Sequence, residues 1–305
     1  AEDRAMIAGY IVNKFRGDVS LFDDGLNAIG SYTGWPCFGV VPWLRDAARL
    51  PSDDSVILER LAEGHPSALK VAVPMLGRIA NFDDLDPLRA EPGVEVVFVP
   101  PGTPIPEDAG LVVIPGSKST IADLAHFHAN GWDRDLVAHR RRGGHIVGLC
   151  GGYQMLGTSI ADDVESRAGS VPGLGLLPIR TVFGPDKVLG RPSRTLADGT
   201  VVHGYEIHHG RISRQGGEPF VADEGCRVGA VAGTLWHGLL ENDAFRREYL
   251  RSVATACGRR FVLAPQTCFA AVREAKLDRL ADHVAQELDR DAVWTLLDGR
   301  ARSAP

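Results

Sequence analysis

Apolar positions along the chain fall into short runs separated by amphipathic stretches, the pattern of a largely parallel sheet with crossover helices. MIAGYIVNKF (6–15) predicts a strand, SLFDDGLNAIGSYTG (20–34) a helix ending near glycine, and PCFGVVPWL (36–44) another strand. Residues 45–68 hold a proline, a Ser-Asp-Asp start and a Gly-His-Pro break, and read as a linker carrying one short helix. A second α/β series opens with the strand LKVAVPML (69–76), followed by NFDDLDPLRAEPG (81–93) as a helix with turns. The valine-rich runs VEVVFVPPG (94–102) and AGLVVIPGS (109–117) predict buried strands. TIADLAHFHANGWDRDLVAHRRRGG (120–144) reads as helical and HIVGLC (145–150) as a strand. After residue 170 strand-and-turn patterns dominate, and the tail at 269–297 carries apolar residues at helical spacing.

Composition changes this picture little but excludes several classes. The net charge of −6 and the brevity of the one dense basic run, HRRRGGH (139–145), argue against a nucleic-acid partner, which needs a wider basic surface. No run approaches the ~18–20 uninterrupted apolar residues of a membrane span. Five scattered cysteines (37, 150, 226, 257, 268) form no C-x-x-C pair, against both a disulfide framework and a zinc site. A reduced, cytoplasmic α/β protein is the expectation. The chain opens close to a strand without an initiator methionine, as expected of a domain that has lost its beginning.

Candidate chemistry centres on GLCGGYQ (148–154). A strand ending in Gly-x-Cys-Gly-Gly and feeding a helix has the form of a nucleophile elbow, where strained backbone requires small neighbours. Cys150 is the candidate nucleophile, and the amide of Gly151 can donate to an oxyanion. The competing reading is a buried thiol behind a glycine-rich turn. LVVIPGSKST (111–120) ends a buried strand on the same carboxyl edge, where ligands bind in such sheets. Gly116 is therefore a second candidate oxyanion donor, unless the turn merely lets Ser119 or Thr120 cap the next helix. In AGTLWHGLLEN (232–242), His237 follows a short strand and is the best placed of ten histidines to act as a general base, although a histidine after a tryptophan is more often a packing or solvent-facing residue and spacing alone does not select it.

Together these pieces resemble the glutaminase module of class I glutamine amidotransferases, in the cobyrinic/cobyric acid synthase branch. The resemblance runs through NKFRGDVSLFDDGL, TGWPCFGVVPWL, RLPSDDSV, IANFDDLDPL, VIPGSKSTIADL, GLCGGYQMLG, GYEIHHG and the tail FAAVREAKLDRLAD. It implies a class I amidotransferase-like α/β fold with a mostly parallel sheet flanked by helices, preceded by the end of a dethiobiotin synthetase-like domain. The boundaries implied are 1–45 for the synthetase remnant, 46–68 for the linker, and 69–305 for the amidotransferase domain with its helical tail.

The resemblance also implies roles. Cys150 would attack the γ-carboxamide of glutamine to form a thioester, His237 would serve as base, and the amides of Gly116 and Gly151 would hold the oxyanion. Class I members carry a glutamate two residues after the histidine; Leu239 stands there, and Glu241 lies too far along. The branch is known for this Cys–His pair, which leaves the group that orients His237 unidentified. GYEIHHG places Glu206 and His208 on one strand face. With Tyr205 it is a family signature near the cleft, read either as sheet support or as substrate contact.

Asn13 resembles the residue that reads adenine in the synthetase fold. No G-x-x-x-x-G-K-[ST] loop occurs in the sequence, so ATP and Mg2+ are expected for the complete enzyme with its missing N-terminal synthetase portion. No cofactor is expected in the glutaminase domain itself. Glutamine and a corrinoid carboxylate are the expected substrates, and a homo-oligomer is left open. Two other readings stand beside this one: a stand-alone amidotransferase subunit for another acceptor such as a cell-wall lipid precursor, and a catalytically silent assembly module.

Overall fold

The computed structural model describes residues 2–44, 69–259, 261–262 and 264–302, in two compact units. The linker reading of 46–68 lies outside the described residues. The first unit joins residues 1–50 with 270–305, and the second spans 51–269.

The first unit begins with α1 (Glu2–Ala5), β1 (Tyr10–Phe15), α2 (Asp23–Thr33) and β2 (Cys37–Pro42), with β1 and β2 paired in parallel. Helix α2 stops at Gly34, which takes a left-handed conformation (φ 72°) and donates its N–H to Gly30 O. That is the glycine-ended helix expected at 20–34.

The second unit carries the rest of the strand pattern. In order come β3 (Leu69–Pro74), β4 (Ile79–Ala80), α3 (Asp86–Arg89), β5 (Val94–Val99), β6 (Leu111–Ile114) and β7 (Gly116–Ser117). Next are α4 (Thr120–Ala129), α5 (Trp132–Arg141), β8 (His145–Leu149) and α6 (Gly151–Met155). They are followed by β9 (Ser159–Asp162), β10 (Gly169–Pro172), β11 (Ile179–Gly190), β12 (Ser193–Thr195) and β13 (Val201–His203). The unit ends with β14 (Glu206–Arg214), β15 (Cys226–Val228), β16 (Val231–Thr234) and α7 (Asp243–Ala256).

Six strands form the central sheet in the order β15-β16-β8-β6-β3-β5, parallel throughout except where β15 runs antiparallel to β16. Both faces are covered, which is why its strands read as continuous apolar runs rather than alternating ones. Ala72, Val112 and Ile146 face a core with Phe127, Trp132 and Leu136, while Val71, Val113 and Val147 face another with Leu250 and Val253. Each such fully buried valine, leucine, isoleucine or phenylalanine contributes about 1.5–3 kcal/mol. A second sheet, β10-β9-β11-β14, is mixed. The expected class I amidotransferase-like α/β fold is what the second unit shows.

Three details differ from the sequence pattern. The helical stretch 120–144 breaks into α4 and α5 at Gly131, whose φ of 75° no helix accommodates. Residues 81–93 hold only a 3-10 turn (Phe82–Leu85) and the one-turn α3, with Pro87 near the start of α3. The tail forms two helices, α8 (Phe269–Glu287) and α9 (Arg290–Arg302), and residues from 270 onward group with the first unit rather than closing the second as expected. The reason is contact with β2: Gly39 bridges Leu288, and the Asp289 amide donates to Phe38 O at 2.8 Å. No described helix is long and apolar enough to cross a membrane.

Candidate active site

Cys150 stands at the junction of β8 and α6 with φ 47° and ψ −107°. A non-glycine residue held there stores about 1–3 kcal/mol of backbone strain. Its amide donates to Thr234 O at 2.8 Å and its carbonyl accepts from Gln154 N–H at 3.0 Å, so both neighbours in the fold hold the turn. The glycines around it are required sterically. A β-carbon on Gly152 would lie 2.1 Å from Ile114 O, and one on Gly148 would lie 2.6 Å from Tyr153 N. The thiol is buried, with 6% of the residue exposed.

β16 lies beside β8 in register, Thr234 opposite Leu149, which carries His237 to the same carboxyl edge as Cys150. The imidazole is 1% exposed. Its Nδ1–H donates to Asp84 Oδ2 at 2.6 Å, and Asp84 Oδ1 accepts from the Gly238 amide at 2.7 Å. Asn81 Nδ2 lies 2.9 Å from Nε2. Burial opposes charging the ring, but hydrogen bonds to Asp84 and Cys150 outweigh it and raise the His237 pKa to about 10. With Nδ1 taken by Asp84, Nε2 is the nitrogen left for the cysteine.

Asp84 thus supplies the orienting acid that the sequence left unidentified. It comes from the 3-10 turn after β4, and neither Leu239 nor Glu241 takes the position. Leu239 is 1% exposed and packs with Val202, Val221 and Trp236. Asn81, with a left-handed φ of 50°, is a second residue the sequence did not single out.

The GYEIHHG segment buttresses this pair. Tyr205 and His237 exchange backbone hydrogen bonds at 2.9 Å each way, and their rings stack at 5.1 Å with an interplanar angle of 26°. Glu206 Oε1 accepts from Trp236 Nε1–H at 2.8 Å, locking the residue before the histidine. His208 borders the cavity described next.

Gly116 pairs with Ala80 where β7 meets β4, and a β-carbon on it would touch Ala80 O at 3.0 Å and His237 Cε1 at 3.1 Å. It therefore lies directly against the imidazole. A β-carbon on Gly151 would lie 2.8 Å from Ser117 N, so the Ser117 amide also faces the elbow. Ser119 precedes α4 without a side-chain capping bond. Thr120 instead donates to Gln154 Oε1 at 3.2 Å, tying the two turns together.

A cavity of about 330 Å³ opens over Cys150 and His237 and is also bordered by Asn81, Ser117, Gln154 and His208. Asn13 lies in the first unit on β1, outside this constellation, where its Oδ1 accepts from Lys14 N–H at 2.8 Å. Among the described residues no group of three or more His, Cys, Asp or Glu is arranged to hold a metal ion.

A buried thiol on a strained elbow, facing an acid-oriented imidazole at the carboxyl edge of a parallel sheet, defines an α/β protein equipped for thioester chemistry on acyl or amide carbons. The chain belongs to the family of CobB/CobQ-like glutamine amidotransferase domains, whose model matches residues 70–245. It is 55% identical to the cobyric acid synthase of Mesorhizobium japonicum over 97% of this chain and 61% of that protein. The cobyric acid synthase of Brucella canis is 51% identical over 97% of this chain and 62% of its own length. The chain therefore spans about three-fifths of the curated relatives it matches. A solved glutamine amidotransferase is 19% identical, with a TM-score of 0.48, over 61% of this chain and 98% of that one.

Proposed function

We propose that this chain is the glutaminase-bearing portion of a cobyric acid synthase, releasing ammonia from glutamine for amidation of corrinoid carboxylates in cobalamin synthesis. The observation that supports it most is the Cys150 elbow facing a His237 held by Asp84.

In this reading His237, with its pKa raised to about 10, already holds the Cys150 proton near neutrality, and Asp84 stabilises the imidazolium beside the thiolate. The thiolate attacks the γ-carbonyl carbon of glutamine, and the oxyanion is held by backbone amides of Gly116 and Gly151, with the Ser117 amide close by. As the C–N bond breaks, the imidazolium protonates the leaving nitrogen and ammonia departs. His237 then takes a proton from water, whose oxygen attacks the thioester to give glutamate and the free thiol.

ATP-dependent activation of the acceptor is assigned to the rest of the enzyme. This sequence contains no phosphate-binding loop, and Asn13 Oδ1 is already engaged by its neighbour's amide. The test is ammonia release from glutamine by the wild type and by Cys150→Ser, with covalent labelling of Cys150 by diazo-oxo-norleucine as the second readout. Loss of both in the variant is expected. Equal rates would overturn the nucleophile, and an unlabelled, folded wild type would favour the silent module.

A further inference from the structure

The backbone that carries the base to the nucleophile is short, and it is held by a side chain outside the reacting pair. β16 ends at Thr234, whose carbonyl accepts the Cys150 amide, and His237 follows three residues later. Beyond Thr234 the backbone leaves the sheet, so its amides need partners other than a neighbouring strand.

Glu224 supplies them. It sits in a tight turn before β15, where its amide donates to Val221 O at 2.8 Å and its carbonyl accepts from Phe220 N–H at 2.9 Å. Its side chain reaches across to the end of β16. Oε1 accepts from Leu235 N–H at 2.9 Å, and Oε2 lies 2.5 Å from the Thr234 hydroxyl. That hydroxyl accepts from Trp236 N–H at 3.0 Å, so its own hydrogen goes to Glu224. One carboxylate thus serves Leu235 directly and Trp236 through Thr234. The His237 amide then donates to Tyr205 O, which completes the run.

Both carboxylate oxygens act as acceptors, the arrangement that an ionised side chain fits. Around it stand Asp223 on the same turn, Glu206 and Arg214 on β14, Tyr153 on α6 and Cys226 on β15. Asp223 is paired with Arg194, and Arg214 donates to Gly225 O at 3.1 Å. Burial pushes the Glu224 pKa up to about 7 against the pull of its two hydrogen bonds, and Glu206 and Asp223 add to the rise. Protonation, which gains ground below that pH, puts a hydrogen on an oxygen that now accepts one and weakens the tie.

We propose that Glu224 is a positioning residue for the Cys150–His237 pair: its carboxylate, bonded to Thr234 and Leu235, sets where the imidazole stands relative to the sulfur. It touches neither reacting atom. For its effect on turnover the proposal rests on the glutaminase reading, and it names what keeps the base of that reaction in reach. A displacement of about 1 Å in such a pair costs up to about 10²-fold in rate.

The experiment compares the wild type with Glu224→Ala and Glu224→Gln over a pH range from about 6 to 9. One readout is ammonia release from glutamine. The other is the second-order rate of Cys150 alkylation by iodoacetamide, followed on the Cys150 peptide by mass spectrometry. Glutamine at this position can accept from Leu235 N–H and donate to Thr234 Oγ1, but it does not titrate. At about pH 8 Glu224→Ala is expected to slow both reactions by a factor on the order of 10 to 10², and Glu224→Gln to recover most of that loss. Toward acid the wild-type rates fall as Glu224 protonates, and in Glu224→Gln this fall moves to lower pH. Wild-type rates in Glu224→Ala, or the wild-type pH profile in Glu224→Gln, overturn the proposal. So does a glutamine variant as slow as the alanine one, because the bonds it can form would then not be what matters. A wild type that releases no ammonia, but whose alkylation still follows residue 224 in this way, overturns the glutaminase reading and leaves the positioning role standing.

Discussion

Asp84 and His237 lie 153 residues apart in sequence and 2.6 Å apart in the fold, joined through the imidazole Nδ1. Asp84→Asn removes the charge that offsets burial of the imidazolium, and glutaminase turnover is expected to fall by a factor on the order of 10² to 10⁴. The His237 pKa is raised from an ordinary 6.5 to about 10, so the pair's contribution to stability is fully present below about pH 6.5 and is lost as pH rises through about 10. Denaturation of wild type and Asp84→Asn at a series of pH values should therefore show a gap near neutrality that closes in strong alkali. A gap independent of pH would mean that Asp84 acts through packing alone.

Tyr205 stacks on His237 and is fixed to it by paired backbone bonds. Tyr205→Phe keeps the ring and should retain most of the activity. Tyr205→Ala removes a cation–π contact of about 0.5–2 kcal/mol with the imidazolium, which corresponds to a rate loss of up to about thirtyfold. Steady-state glutaminase rates of the two variants check this. Equal loss in both would assign the effect to the phenol hydroxyl instead.

Gly152→Ala places a methyl 2.1 Å from a main-chain oxygen, Ile114 O, where no side chain can turn away. The elbow must shift against the buried strand β6, at a cost of about 3 kcal/mol or more. Urea unfolding should show the destabilisation. Iodoacetamide labelling under native conditions should show a displaced thiol.

Arg246 is fully buried and donates to Glu91 Oε1 at 2.7 and 3.0 Å, to Leu240 O at 2.7 Å and to Asp243 Oδ1 at 2.5 Å. Arg246→Met leaves the Glu91 carboxylate buried with only Arg247 beside it, and should cost about 3–5 kcal/mol. The double variant Arg246→Met with Glu91→Leu should recover much of that loss. Denaturant midpoints of the single and double variants decide the matter.

The elbow was readable because its requirements are local: glycines within two residues of the cysteine, a buried strand before it and a helix after it. His237 was legible only as the best placed of ten histidines, because nothing local separates it from a packing histidine; its place on the same edge comes from the docking of β16 on β8. Asp84 was not, since Asp83, Asp84 and Asp86 look alike in an acidic turn. What separates them is direction. Successive residues of a helical turn point about 100–120° apart, so Asp84 reaches the imidazole while Asp83 is half-buried elsewhere. The grouping of the tail with residues 1–50 was equally hidden. Its helical spacing shows an apolar face, but no partner for it; Gly39 and Phe38 supply one only through the fold.

The three groups of the site occupy positions 84, 150 and 237, and the strand that delivers the last of them, β16, is the final parallel strand of the sheet to be synthesised. A nascent chain therefore exposes its cysteine well before it possesses a base to arm it. Only when β16 closes against β8 do acid, imidazole and sulfur meet. The order of the chain makes the closure of β16 on β8 the step that completes the constellation.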